Sequence, residues 1–337
     1  MSASPEQPAA AHTGVVYRKS TGIYTVNSAG RLVTCTLSNR LRKALLYPIA
    51  DPSSLPHRRV QAVEDIQTVD PVAIGDVVCF VEAGGDAGQI IEVLPRRSQL
   101  SRRAPGAKPL EQVVVANPDQ VIPVVSAAQP KPRWGMIDRY LVSAAACDLP
   151  AIVCLTKLDA LDEFDAYEVL AVVEDYRRIG YRVILTSAVD GSGLDEFRDA
   201  LAGRLSVLVG MSGVGKTTLL NAVQPGLGLR VGAINPELDK GRHTTTHLEL
   251  FPLETGGAVV DTPGMKVFGL WDVDQDDIAL LFPEMAEHVG RCRYKLDCTH
   301  DHEPGCAIKQ AVAAGRISAR RYRNYLSIRA KPHADIK

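Results

Sequence analysis

No run of about 18 apolar residues, the length a membrane-spanning helix needs, occurs in the 337-residue sequence. The N-terminus MSASPEQPAAAHT lacks the basic start and apolar stretch of a secretory signal. Membrane insertion and secretion are therefore set aside. The expected location is the cytoplasm, with residues 1–13 a disordered tail. Charge of one sign is also missing: Lys+Arg number 38, Asp+Glu 39, and the formal net charge is -1. No overall field draws this chain to nucleic acid, so any such binding must rest on local basic patches. Two clusters qualify, Arg96, Arg97, Arg102 and Arg103 in RRSQLSRR, and Arg316, Arg320, Arg321, Arg323, Arg329 and Lys331 near the C-terminus, with Tyr322 and Tyr325 interleaved. In the cytoplasm the 7 cysteines are not expected to form disulfides.

What is present is a globular composition, 46% hydrophobic and 23% charged, with room for two or three domains. From 14 to 95, five short β-rich segments (GVVYRK, GIYTVNS, RLVTCTLS, GDVVCFVEA, GQIIEVL) alternate with turn signals, and an OB-like barrel is expected. Prolines, arginines and serines without periodicity over 96–110 read as a linker. From 111 to 271 apolar strands alternate with amphipathic helices, which predicts an α/β domain with a mainly parallel sheet and a site at the carboxyl ends of its strands. Residues 272–337 are helical, charged and interrupted by cysteines, and read as a third domain.

The stretch Gly210-Met211-Ser212-Gly213-Val214-Gly215-Lys216-Thr217 matches G-x-x-x-x-G-K-[ST], follows the apolar strand RLSVLV and opens the helix TTLLNAV, with Thr218 in its first turn. Glycines there let backbone N–H groups surround a phosphate, Lys216 reaches the β- and γ-phosphates, and the Thr217 hydroxyl is placed for Mg²⁺. Downstream, GGAVV ends in Asp261-Thr-Pro-Gly264, a D-x-x-G in which Asp261 would hold the magnesium shell and the Gly264 N–H would sense the γ-phosphate. Between the two lies GRHTTTHLEL, where Thr244, Thr245 or Thr246 can supply a second oxygen to Mg²⁺; Thr245 is the choice made.

Two elements suited to a guanine base precede the phosphate loop. Asp159 of TKLD can accept from the adjacent N1–H and 2-amino donors that only guanine presents, while Lys157 lies along the ring and Thr156 precedes it. In Thr186-Ser187-Ala188 a backbone N–H can meet the guanine oxygen. Base elements first and phosphate elements second describe a circular permutation, permissible because domain termini usually lie close together. Near the C-terminus, Cys292, Cys298, His300 and Cys306 make three thiolates and one imidazole for a closed, structural zinc site, with His302 as the rival imidazole.

Together these motifs resemble the circularly permuted, ribosome small subunit-dependent GTPases of bacteria, the RsgA family, over nearly the whole chain; GRHTTTHLEL and DTPGM are similar to that family's switch sequences. The resemblance implies Mg²⁺-dependent GTP hydrolysis, weak alone and stimulated by the small ribosomal subunit, in late maturation of that subunit. It also implies contact with 16S rRNA, GTP and GDP as ligands, one structural zinc per chain, a monomer, and no membrane. Two departures matter. Thr156 stands where the base element usually has asparagine, and Met265 follows D-x-x-G where Ras-like enzymes orient water with glutamine. The resemblance points to a switch histidine for that task, His243, with His247 the alternative. A rival reading is an RNA-binding module that uses GTP as a regulatory ligand with negligible turnover; another is an ATPase, which Asp159 opposes.

Overall fold

The structure, a computed structural model, describes residues 11–20, 22–46, 71–104, 110–227, 248–262 and 270–332. The chain divides into two compact units, Met1–Asn117 with His247–Leu250, and Pro118–Thr246 with Phe251–Lys337.

In the first unit β1 (Ala11–Ser20), β2 (Ile23–Ser28) and β3 (Arg31–Leu37) form an antiparallel meander, followed by the short α1 (Asn39–Leu46), which the sequence reading did not separate from its surroundings. Next come β4 (Val77–Gly84) and β5 (Ala87–Val93). Pairings β1–β2, β2–β3, β3–β5, β5–β4 and β4–β1 run in a ring, which is the expected barrel. Alternation along β1 to β5 sends Val16, Tyr24, Val26, Val33, Cys35, Phe80 and Ile90 into one core. Burial pushes the Cys35 thiol up to about 11, so it behaves there as an apolar group.

The described part of 96–110, residues 96–104 and 110, differs from the linker reading. Gln99–Arg103 is β6 and pairs antiparallel with β7 (Glu111–Ala116), a hairpin belonging to the first unit, whose boundary falls after Asn117. The arginines that gave this segment its linker texture are structural. Arg96 makes two hydrogen bonds, 2.7 and 2.8 Å, to the fully buried Asp76 carboxylate, Arg97 donates to the Asn117 carbonyl at 2.9 Å, and Arg102 donates to Gln112 at 2.9 Å.

The second unit carries β8 (Gln120–Ser126), α2 (Trp134–Ala145), β9 (Ile152–Thr156), α3 (Glu163–Ile179), β10 (Arg182–Leu185), α4 (Leu194–Leu201), β11 (Arg204–Val209) and α5 (Lys216–Val223). After β12 (Glu249–Pro252), β13 (Gly257–Asp261) completes a parallel sheet in the order β10-β9-β8-β11-β13. All of β8 is buried, as a central parallel strand covered on both faces must be. Helix α3 shows both ends of its code: the Asp162 carboxylate accepts from the Asp165 N–H at 2.7 Å, and Gly180 closes it at φ 109°, a left-handed conformation that favours glycine.

The C-terminal segment contributes α6 (Pro283–Ala286), α7 (Ala307–Ala313) and α8 (Ala319–Ala330). These do not stand apart as a separate core. Val142 of α2 shares one cluster with Phe282, Met285, Cys292, Cys298, Cys306, Ile308, Tyr325 and Ile328.

Candidate nucleotide and metal sites

The phosphate loop sits between the central strand β11 and α5. Gly213 and Gly215 adopt φ of +80° and +97°, and a Cβ on Gly210 would lie 2.4 Å from the Val124 carbonyl oxygen, so side chains are barred where the loop must turn its amides inward. Lys216 is buried at the helix start and donates to the carbonyls of Gly210 at 2.7 Å and Met211 at 3.2 Å. Burial lowers its pKa, and the Asp261 charge works against that fall. Asp261, at the end of β13 on the adjoining strand, shows the mirror case: burial raises its carboxyl pKa while Lys216 lowers it.

Thr217 Oγ1 lies 3.4 Å from Asp261 Oδ2, and the buried Asp261 Oδ1 has no hydrogen-bond partner among the described residues. A buried carboxylate oxygen without a donor, beside a hydroxyl and a lysine at a phosphate loop, is a donor set that fits a hard divalent cation.

The base elements meet the phosphate loop through contacts that no local pattern announces. The buried Thr156 hydroxyl, at the end of β9, donates to the Val214 carbonyl of the loop. Lys157, in a left-handed conformation at φ 60°, donates to Gly213 O at 2.7 Å and Gln129 O at 2.6 Å. Asp159 is exposed on the next turn and accepts from the Ser187 hydroxyl at 2.6 Å. Ser187 is fully buried and its oxygen also receives the Val189 and Asp190 N–H groups, while Ala188 beside it is half-buried. One hydroxyl thus ties together the two strand ends that were expected to read the base. Because β9 and β10 are parallel neighbours, with Leu155 opposite Leu185, both elements emerge at the same edge. His243, Thr244, Thr245, Thr246, His247, Gly264 and Met265 lie outside the described residues.

The second site is a buried cluster. The ligand atoms of Cys292, Cys298, His300 and Cys306 all lie within 4.8 Å of one another. Cys292 Sγ is 3.4 Å from His300 Nδ1 and 3.9 Å from Cys306 Sγ, and Cys306 Sγ is 3.5 Å from His300 Nδ1. A tetrahedral ion about 2.3 Å from sulfur and about 2.0 Å from nitrogen requires S···S near ~3.8 Å and S···N near ~3.5 Å, so the four residues fit a metal ion. The rival imidazole, His302, has a side chain 84% exposed and sits beside Asp301.

Backbone N–H groups of Ala307 and Lys309 donate to the sulfurs of Cys292 and Cys306, and Tyr322 and Tyr325 donate to the carbonyls of His300 and Thr299. Glu303 fastens the loop by accepting from the Thr299 hydroxyl and from the N–H groups of Thr299 and Asp301.

The C-terminal basic cluster is only partly a surface. Arg321 is fully buried, donating to Asp138 at 2.6 Å and to both oxygens of Glu284 at 2.7 and 2.9 Å. Asp138, in the middle of α2, also accepts from Arg320, Tyr176 and Asn324. Arg329 pairs with Asp276. Sequence reasoning counted these arginines as solvent-facing because the carboxylates that neutralise Arg320 and Arg321 lie on other helices.

A circularly permuted P-loop GTPase is the class that this strand order and site define. The RsgA GTPase family model matches residues 93–271, more than half of the chain. The small ribosomal subunit biogenesis GTPase RsgA of Moorella thermoacetica is 39% identical over 318 residues, covering 94% of this chain and 96% of the relative. The protein of the same name from Pseudomonas aeruginosa is 42% identical over 262 residues, 77% of this chain and 76% of the relative. Among solved structures, YjeQ from Thermotoga maritima superposes with a TM-score of 0.70 at 30% identity, covering 95% of this chain and 98% of that one. YloQ, a circularly permuted GTPase, gives 0.66 at 27% identity over 97% of each. The chain belongs to the RsgA GTPase family and is a GTP hydrolase.

Proposed function

We propose that the chain hydrolyses GTP with Mg²⁺ in the late maturation of the small ribosomal subunit, engaging the subunit and its 16S rRNA in the GTP state and leaving after hydrolysis. The relatives' names support the subunit as partner. The observation that carries the nucleotide is the Ser187–Asp159 contact beside a phosphate loop already braced by Thr156 and Lys157.

In this reading Asp159 accepts from the guanine N1–H and amino group, and the Ala188 N–H meets the guanine oxygen. The amides of Gly210 to Thr218 hold the phosphates. Lys216 exchanges its two carbonyl partners for the β- and γ-phosphate oxygens, and its ammonium there opposes the charge that develops in the transition state. Mg²⁺ supplies charge neutralisation between the β- and γ-phosphates when bound. We assign its protein oxygens to Thr217, Asp261 and Thr245, the γ-phosphate contact to the Gly264 N–H, and the orientation of water to His243, with His247 the alternative. The Cys292, Cys298, His300, Cys306 set holds one structural zinc, since four protein ligands leave no open position. No described helix is long and apolar enough to cross a membrane; with a ribosomal partner, the location is the cytoplasm and the working form a monomer.

Met265, which cannot orient water, favours a second reading in which GTP is a regulatory ligand with negligible turnover. Cosedimentation with purified small subunits tests the partner. The chain should pellet with subunits in a non-hydrolysable GTP analogue and remain in the supernatant with GDP. Equal, weak pelleting in both states would overturn the reading.

A further inference from the structure

Arg139 of α2 is an arginine buried without a counter-charge. Its side-chain Nη atoms donate to the backbone carbonyls of Pro332 and Lys331, each at 3.0 Å, and its Nε is buried with no partner among the described residues. Burial lowers its pKa and no carboxylate opposes that fall. The preceding residue on the same helix, Asp138, is turned to Arg320 and Arg321, and the structure records no contact between it and Arg139. The contrast with Arg321 is direct: that guanidinium is as deeply buried and meets two carboxylates. A buried cation lacking a carboxylate partner is expensive unless something negative completes it.

Arg139 lines a cavity of about 240 Å³ between α2 and α8, together with Arg133, Gly135, Asn324 and Ser327. Its lining contains no Asp or Glu. Arg133 lines the same cavity, is exposed, makes no side-chain hydrogen bond or ion pair among the described residues, and occupies the N-cap of α2 without capping it. The helix N-terminus therefore adds its own unpaired amides and positive dipole to the two guanidinium groups. Asn324 and Ser327, one turn apart on α8, supply neutral polar groups on the opposite wall. Gly135 faces Asn324 across the cavity wall: a Cβ there would lie 3.4 Å from Asn324 Oδ1, an ordinary contact.

We propose that this pocket binds a phosphate group, with Arg133 and Arg139 providing the charge, Ser327 and Asn324 the neutral hydrogen bonds, and the first turn of α2 its amides. The source we favour is a backbone phosphate of RNA, which rests on the reading of the subunit as partner. A free phosphate compound shares the same chemistry and is separated from it by the test below. The pocket lies between a helix of the nucleotide-binding sheet and the last helix of the metal-bearing segment, so a phosphate seated there would touch both.

The experiment uses the full chain, with a saturating non-hydrolysable GTP analogue and Mg²⁺ to occupy the phosphate loop in the state expected to bind subunits, and two variants at the rim, Arg133→Gln and Ser327→Glu. Basal GTP hydrolysis should be unchanged in both. Affinity for purified small subunits across a salt series should fall roughly threefold to tenfold in Arg133→Gln, with the salt slope reduced by about one phosphate contact, and further in Ser327→Glu. In parallel, inorganic phosphate at millimolar concentration is added and the melting temperature followed. If phosphate raises it for the unaltered chain and not for Ser327→Glu while subunit affinity is the same in all three, the ligand is a free phosphate compound. If both readouts match the unaltered chain, the proposal is overturned. A chain that fails to bind subunits at all refutes the proposed partner, and the phosphate arm alone then decides the pocket.

Discussion

Thr156 occupies the place where the guanine-reading element usually carries asparagine, and its hydroxyl takes up part of the brace by donating to Val214 inside the phosphate loop. Thr156→Val keeps the shape and removes the donor, leaving that carbonyl unpaired at a cost of about 1 to 3 kcal/mol. GTP affinity should fall roughly tenfold by calorimetry, with ATP still rejected; unchanged affinity would mean the brace does not matter. In the proposed binding mode Asp159 carries selectivity. Asp159→Asn cannot accept from both guanine donors, so GTP should bind about 30-fold or more weakly while xanthosine triphosphate gains, as a competition assay would reveal. A loss for both nucleotides alike would remove Asp159 from base reading. Asp261 illustrates the opposite economy: its Oδ1 has no hydrogen-bond partner among the described residues and burial raises its pKa, both of which fit a site that a cation completes. Asp261→Asn should abolish Mg²⁺-dependent stimulation of hydrolysis while GDP still binds.

At the scale of elements, the connection between α2 and α8 is the feature with the largest expected effect on stability. Asp138→Ala strips Arg321 of one carboxylate in a fully buried site and should cost on the order of 3 to 5 kcal/mol, read as a shift in the urea midpoint. Substitution of both partners with apolar residues should cost less, because no charge is stranded. The metal loop should behave differently. Removal of the ion with a strong chelator should release close to one metal per chain and reduce the helical signal of α7 and α8, since the three cysteine ligands share a core with Tyr325 and Ile328. Barrel, parallel sheet and phosphate loop were legible in the sequence because period-2 alternation, apolar strand runs and fixed glycine spacing are local signals. Helix α1 and the β6–β7 hairpin were not, since arginines and prolines mimic a linker until their partners, Asp76 and Asn117, are brought in from elsewhere in the chain. The same reason hid Arg320 and Arg321, whose charges point to a surface and whose partner Asp138 lies more than 180 positions away. Ligand spacing named the four metal residues, yet only the fold shows His302 turned outward.

On the scale of the whole molecule, base elements precede the phosphate loop in the chain yet stand beside it on one sheet, at the strand ends of β9, β10, β11 and β13. One consequence of the permutation is that the segment after D-x-x-G runs almost directly into the C-terminal helices that carry the cysteine cluster. In the proposed mechanism the subunit completes a catalytic site that lacks the usual glutamine. GTP hydrolysis with Mg²⁺, by the protein alone and with purified small ribosomal subunits, measures this directly. Slow turnover that rises at least about tenfold with the subunit is the predicted result. Turnover unchanged by subunits, in a preparation shown to bind them, would contradict it and leave a binding protein for which GTP is a ligand.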